Sequence, residues 1–96
     1  MSPNNKKKLN IIRVKLDKLD NKLLSLIKNR TSLVKEVLKL KEFKKEIVDQ
    51  KRINFILNKI KGKSKKLKID PKITNRIWKN MIWSYIDYER RNFKKK

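Results

Sequence analysis

The sequence contains no cysteine and no histidine. The first absence removes disulfides, thiol nucleophiles and thiolate metal sites. The second removes the usual general base at neutral pH and the commonest metal ligand. Catalysis, if present, falls to Lys, Arg, Asp, Glu, Tyr or backbone groups. Glycine occurs once and proline twice in 96 residues, so long uninterrupted helices are available. No apolar run approaches the about 20 residues of a membrane span, and Met1 to Lys8 holds no apolar stretch of signal-peptide length. The expectation is one soluble, cytoplasmic domain without membrane contact.

Acidic residues are also scarce, nine against 30 Lys and Arg, for a formal net charge of +21. Such an excess points first to a polyanion, either nucleic acid or an anionic membrane. The lysines are scattered along the whole chain, however. No zinc finger, helix-turn-helix glycine turn or RNA-binding aromatic motif accompanies them. Abundant Lys, Asn and Ile with little Gly or Pro is the pattern of an AT-rich coding sequence, so a nucleic-acid partner is disfavoured. A narrower reading is that the charge suits a small, doubly anionic substrate.

What is present is helical periodicity. Leu9, Ile12, Leu16, Leu19, Leu23, Leu26, Leu33, Val37 and Leu40 step by three and four, with one gap at Arg30. This predicts a helix over about residues 9–41, about 48 Å long at 1.5 Å per residue. A 96-residue globule measures only about 26 Å, twice its radius of gyration. The helix therefore needs a copy of itself or another long helix to cover it. A second helix opens at the N-cap Asp49 and continues through Ile53, Ile56, Leu57 and Ile60, with Gly62 as its expected terminator or weak point. A third opens at Asp70-Pro71 and presents Ile73, Ile77, Trp78, Met81, Ile82, Tyr85, Ile86 and Phe93. Residues 1–8, expected to be disordered, and 94–96 read as frayed basic tails flanking a domain over 9–93.

The informative residues are polar ones inside apolar stripes. Arg30 interrupts the leucine seam. Lys41 lies eleven residues later, so the two share a helix face to within about 20°. Cations facing a packed groove need anions there, although either side chain alone can snorkel to the surface. Glu89 falls between Ile86 and Phe93, one turn beyond Tyr85, and Arg52 follows the Asp49 cap. Arg13 sits about 25 Å along a straight helix from Arg30, too far to share a small ligand within one chain. Two antiparallel first helices would bring it to the ligand of a second chain. Trp78, Trp83, Tyr85, Tyr88 and Phe93 fit core or dimer contacts better than a base-stacking platform.

The stretch R-x-x-L-D-x-L-D-x-x-L-L-x-L-I-x-x-R…V…L-x-L-K, from Arg13 to Lys41, resembles the first helix of the all-helical chorismate mutases. V-D-Q-K-R-I, from Val48 to Ile53, is similar to that family's second-helix opening. I-D-P-K-I-T-N-R-I-W-K-N-M-I, from Ile69 to Ile82, looks like its third. The resemblance covers nearly the whole chain. It implies an all-α fold of three helices, intertwined as a domain-swapped homodimer, with no metal or cofactor. Chorismate would rearrange to prephenate within the shikimate pathway of aromatic amino acid biosynthesis. It further implies that Arg13 reaches a substrate carboxylate from the other protomer, that Arg30 binds the second carboxylate, and that Arg52 lines the carboxylate end. Lys41 and Glu89 would donate to the ether oxygen, Asp49 would sit near the ring hydroxyl, and Tyr85 would line the cavity. Glu89 can donate only when protonated, so mildly acidic solution should favour turnover. Ile53 stands where most of these mutases carry Glu. An apolar residue there is also a feature of the related isochorismate-pyruvate lyases, the alternative reading. A basic nucleic-acid-binding helix protein and a pure dimerisation module are the remaining alternatives.

Overall fold

The computed structural model describes residues 1–94. Within them lie α1 (Pro3–Leu40), a 3₁₀ turn (Lys44–Glu46), α2 (Gln50–Lys66) and α3 (Pro71–Asn92), with no strand among the described residues. The all-helical expectation with a long first helix holds. Apart from Lys94, the basic tail expected at 94–96 lies outside the described residues. The chain divides into two units, one over Met1–Leu33 and one beginning at Val34.

The first unit is a single run of helix. It begins at Pro3, so the expected start at residue 9 lies six residues inside it. The start signal is Ser2-Pro3: the Ser2 hydroxyl accepts from the Asn5 N–H at 3.2 Å, and proline fills the first helical position. No residue of α1 is fully buried. Leu16, Leu19, Leu23 and Leu26 are each more than half exposed. The seam that the periodicity defines is therefore present and uncovered.

The second unit is organised around the α2–α3 pair. Asp49 caps α2 by accepting from the Arg52 N–H at 3.0 Å, and Asp70 caps α3 by accepting from the Lys72 N–H at 2.9 Å. The two helices run antiparallel: Ile53, early in α2, clusters with Ile82 and Ile86, late in α3, while Ser64 meets Thr74 near the turn. Ile47 completes this four-isoleucine core, and Val48, Ile56, Leu57 and Phe93 pack against it. Ile73 and Ile77 remain more than half exposed, so the apolar face of α3 is wider than the part its own chain covers. Near the turn the buried Ser64 hydroxyl donates to the Ile60 carbonyl at 2.6 Å. Its one proton being used there, Thr74 donates across the helix pair at 2.7 Å.

Gly62 does not end α2, which runs four residues further. A terminating glycine has to adopt a left-handed conformation, and the residue that does so is Lys68, at φ 58°. The Lys68 N–H bonds to the Lys65 carbonyl and the Ile69 N–H to the Ser64 carbonyl, the paired closure of a Schellman motif. A side chain in this region costs about 1–2 kcal/mol. Lys68→Gly should accordingly raise stability by about 1 kcal/mol after the greater unfolded-state freedom of glycine is counted, measured as a higher urea midpoint at unchanged slope. A lower midpoint would contradict that account of the turn.

Candidate active site

Lys41 is the first residue beyond α1, and its backbone N–H closes the last turn onto the Leu38 carbonyl at 3.2 Å. From there the chain passes through the 3₁₀ turn, held by the Glu46 carboxylate accepting from the Phe43 N–H at 2.9 Å. This path returns the Ile47 carbonyl to within 3.5 Å of Lys41 Nζ. Across from it, α3 presents Glu89. Lys41 Nζ donates to both carboxylate oxygens, at 3.1 and 3.2 Å. The side chains retain only 17% and 6% of their accessibility. The two polar misfits read from the sequence are thus brought together, 48 residues apart in the chain.

Burial explains the arrangement. A carboxylate removed from water is costly unless an opposite charge and hydrogen bonds replace its hydration. Ile86 buries the preceding turn of α3 and Phe93 packs on the same core, so Glu89 sits at the polar edge of an apolar cluster. No buried side-chain N or O atom among the described residues lacks a partner. Lys41 also borders a shallow depression of about 400 Å³, lined with it by Glu46, Val48, Asp49, Gln50 and Lys51 and not by Glu89. The ammonium can donate to an acceptor placed there, and the carboxyl can donate only after taking up a proton.

The other expected residues are placed as follows. Asp49 is exposed and engaged as the α2 cap. Arg52 is exposed, with its guanidinium 5.3 Å from the centre of the Phe55 ring. Ile53 is a core residue at 7% exposure, clustered with Ile47, Ile82 and Ile86. Tyr85 is half-buried one turn before Glu89. Arg13 and Arg30 belong to the first unit, where Arg13 is exposed and Arg30 half-buried. The Ile47 carbonyl is a partner of Lys41 that sequence reasoning missed, since a backbone oxygen leaves no mark in residue type. No three His, Cys, Asp or Glu side chains converge as metal ligands among the described residues. No helix there is long and apolar enough to cross a membrane.

The chorismate mutase type II family matches residues 12–90, a span that includes Arg13, Arg30, Lys41, Asp49, Arg52, Ile53, Tyr85 and Glu89. The chain belongs to the chorismate mutase type II family. Membership makes it an enzyme of the isomerase class acting on chorismate. It is also similar to a chorismate mutase of Methanocaldococcus jannaschii, with 37% identity over 76 residues, covering 78% of this chain and 77% of the relative. No solved structure gives a significant match.

Removing one member of a buried ion pair strands the other charge, which costs about 3–5 kcal/mol. Lys41→Met should therefore destabilise the protein by about 3 kcal/mol, given the 17% exposure that remains, and adding Glu89→Leu should recover most of that loss. Chemical denaturation of the two single variants and the double variant tests this. Simple additivity of the two losses would mean that the pair is not coupled.

Proposed function

We propose that this chain converts chorismate to prephenate, working as a homodimer with Lys41 and Glu89 at the breaking ether bond. The reaction is an intramolecular [3,3] rearrangement: one C–O bond breaks as one C–C bond forms, and no nucleophile, base or metal takes part. That suits a chain with neither His nor Cys. The protein's tasks are to hold a flexible dianion with its reacting carbons close together and to stabilise negative charge growing on the ether oxygen. The observation that carries the reading is the Lys41 ammonium, fixed by Glu89 and the Ile47 carbonyl at the edge of a depression, within the stretch that matches the family.

Arg30, Arg52 and Arg13 are assigned to the substrate carboxylates by the same resemblance, which suits the bidentate geometry of guanidinium groups. Arg13 is assigned from the second chain. The supporting observation for a dimer is the uncovered seam of α1: each half-exposed leucine that a partner covers contributes about 1 kcal/mol. Asp49 is assigned to the ring hydroxyl and Tyr85 to the cavity wall. Ile53 is buried in the core, so its influence on the hydroxyl end would come through packing.

Purified protein incubated with chorismate should form prephenate, and Lys41→Ala should lower kcat by about 100- to 1000-fold, the usual effect of losing one such donor. Absence of turnover by the wild type would end this reading. In sedimentation the protein should run at twice the 11.7 kDa chain mass. A second outcome concerns pH. Glu89 accepts from Lys41 in this structure, and a carboxylate has no proton to give, so donation by Glu89 requires proton uptake. The rate should then rise as the solution becomes mildly acidic. Glu89→Gln, whose amide donates at any pH, should flatten the profile; an unaltered profile would remove Glu89 as donor.

A further inference from the structure

Residues 61–68 are mostly lysine, and the turn between α2 and α3 displays this run at one end of the hairpin. Residues 63–76 close the turn end of the α2–α3 hairpin and carry Lys63, Lys65, Lys66, Lys68, Lys72 and Arg76 against one carboxylate, Asp70. All six are exposed. Among the described residues none of the six forms an ion pair. The Asp70 carboxylate is itself occupied in capping α3.

Neither the fold nor the candidate active site accounts for this charge. Like charges crowded on one turn repel one another, so they oppose folding. Arg76 and Lys72 lie about 20 and 25 Å along α3 from Glu89. That is two or more Debye lengths at about 0.1 M salt, so their field at the active site is largely screened. Lys68 stands in a left-handed conformation that glycine would adopt without strain. A cation is thus held in the centre of the cluster at a local conformational cost. The stripe continues along the outer face of α3: Lys72, Arg76, Lys79 and Trp83 follow at helical spacing, and Trp83 is 49% exposed.

We propose that this hairpin end, with the outer stripe of α3, is a docking surface for single-stranded nucleic acid. Lys63, Lys65 and Lys66 leave α2 in directions separated by about 200° and 100°, so the cations surround a convex knob instead of lining one plane. A flexible phosphate chain can wrap such a knob. A flat bilayer or a stiff duplex meets only one side of it. Trp83, which the sequence pattern assigns to a core or dimer contact, is instead 49% exposed one turn beyond Lys79, a stacking surface that free bases can use and paired bases cannot. The inference is independent of the reaction proposed above.

The test is fluorescence anisotropy of a labelled oligothymidylate with the full-length protein. Binding is expected to weaken by about several hundred-fold between about 50 and 200 mM salt, as for some six phosphate contacts on a single strand. The triple variant Lys63→Gln/Lys65→Gln/Lys66→Gln should reduce the log–log salt slope by about 2. Trp83→Ala should weaken binding by about tenfold. Both should keep wild-type circular dichroism, and the wild-type salt slope stands without any variant. Three results would each overturn the proposal: no binding at about 50 mM salt, an unchanged slope in the triple variant, or tighter capture by vesicles of phosphatidylglycerol or by a duplex of the same length.

Discussion

The ammonium of Lys41 and the carboxylate of Glu89 satisfy each other in a place where neither could remain alone. Lys41 is the first residue after α1, Glu89 is in the last turns of α3, and the Ile47 carbonyl between them belongs to the connection into α2. One contact therefore ties three elements of the second unit at a single point. In the reaction proposed above, it would also fix the donor to the ether oxygen. A lysine free to swing would lose several rotamers on binding an oxygen, whereas one already held in place has lost them on folding.

The ring of isoleucines beside this contact is small. Four buried side chains, Ile47, Ile53, Ile82 and Ile86, form the core of the unit, with half-buried residues packed around them. A core of that size leaves little margin for error, and the helix ends are correspondingly well capped. Ser2, Asp49 and Asp70 each satisfy an otherwise unpaired N–H of a first turn, and Ser64 and Thr74 hold the turn end of the hairpin by a buried hydroxyl pair. Local hydrogen bonding supports the hairpin where apolar area is limited.

Much of this was legible in the sequence, for identifiable reasons. The caps at Asp49 and Asp70-Pro71 are local signals, and both helices start where they indicate. The same signal at Ser2-Pro3 was hidden by the lysine run after it, because charge was read as disorder. The end of α2 was misplaced at Gly62 because the left-handed position is filled by Lys68, a residue type that does not advertise it. The 3₁₀ turn has no periodicity to detect. Lys41 and Glu89 stood out as misfits in apolar stripes, but their pairing is a tertiary fact that no local pattern contains. Ile53 shares the apolar stripe of α2 with Ile56, Leu57 and Ile60, and its burial follows from that face.

The modest interior of the hairpin also bears on temperature. The heat-capacity change of unfolding scales with the apolar surface released, so four isoleucines give the protomer a shallow stability curve with little loss on chilling. The leucines along α1 are different, because their burial depends on association. Apolar association weakens as water cools. In the homodimer proposed above, contacts made through that seam would loosen in the cold before the hairpin does, so cold sensitivity would belong to the assembly and not to the chain.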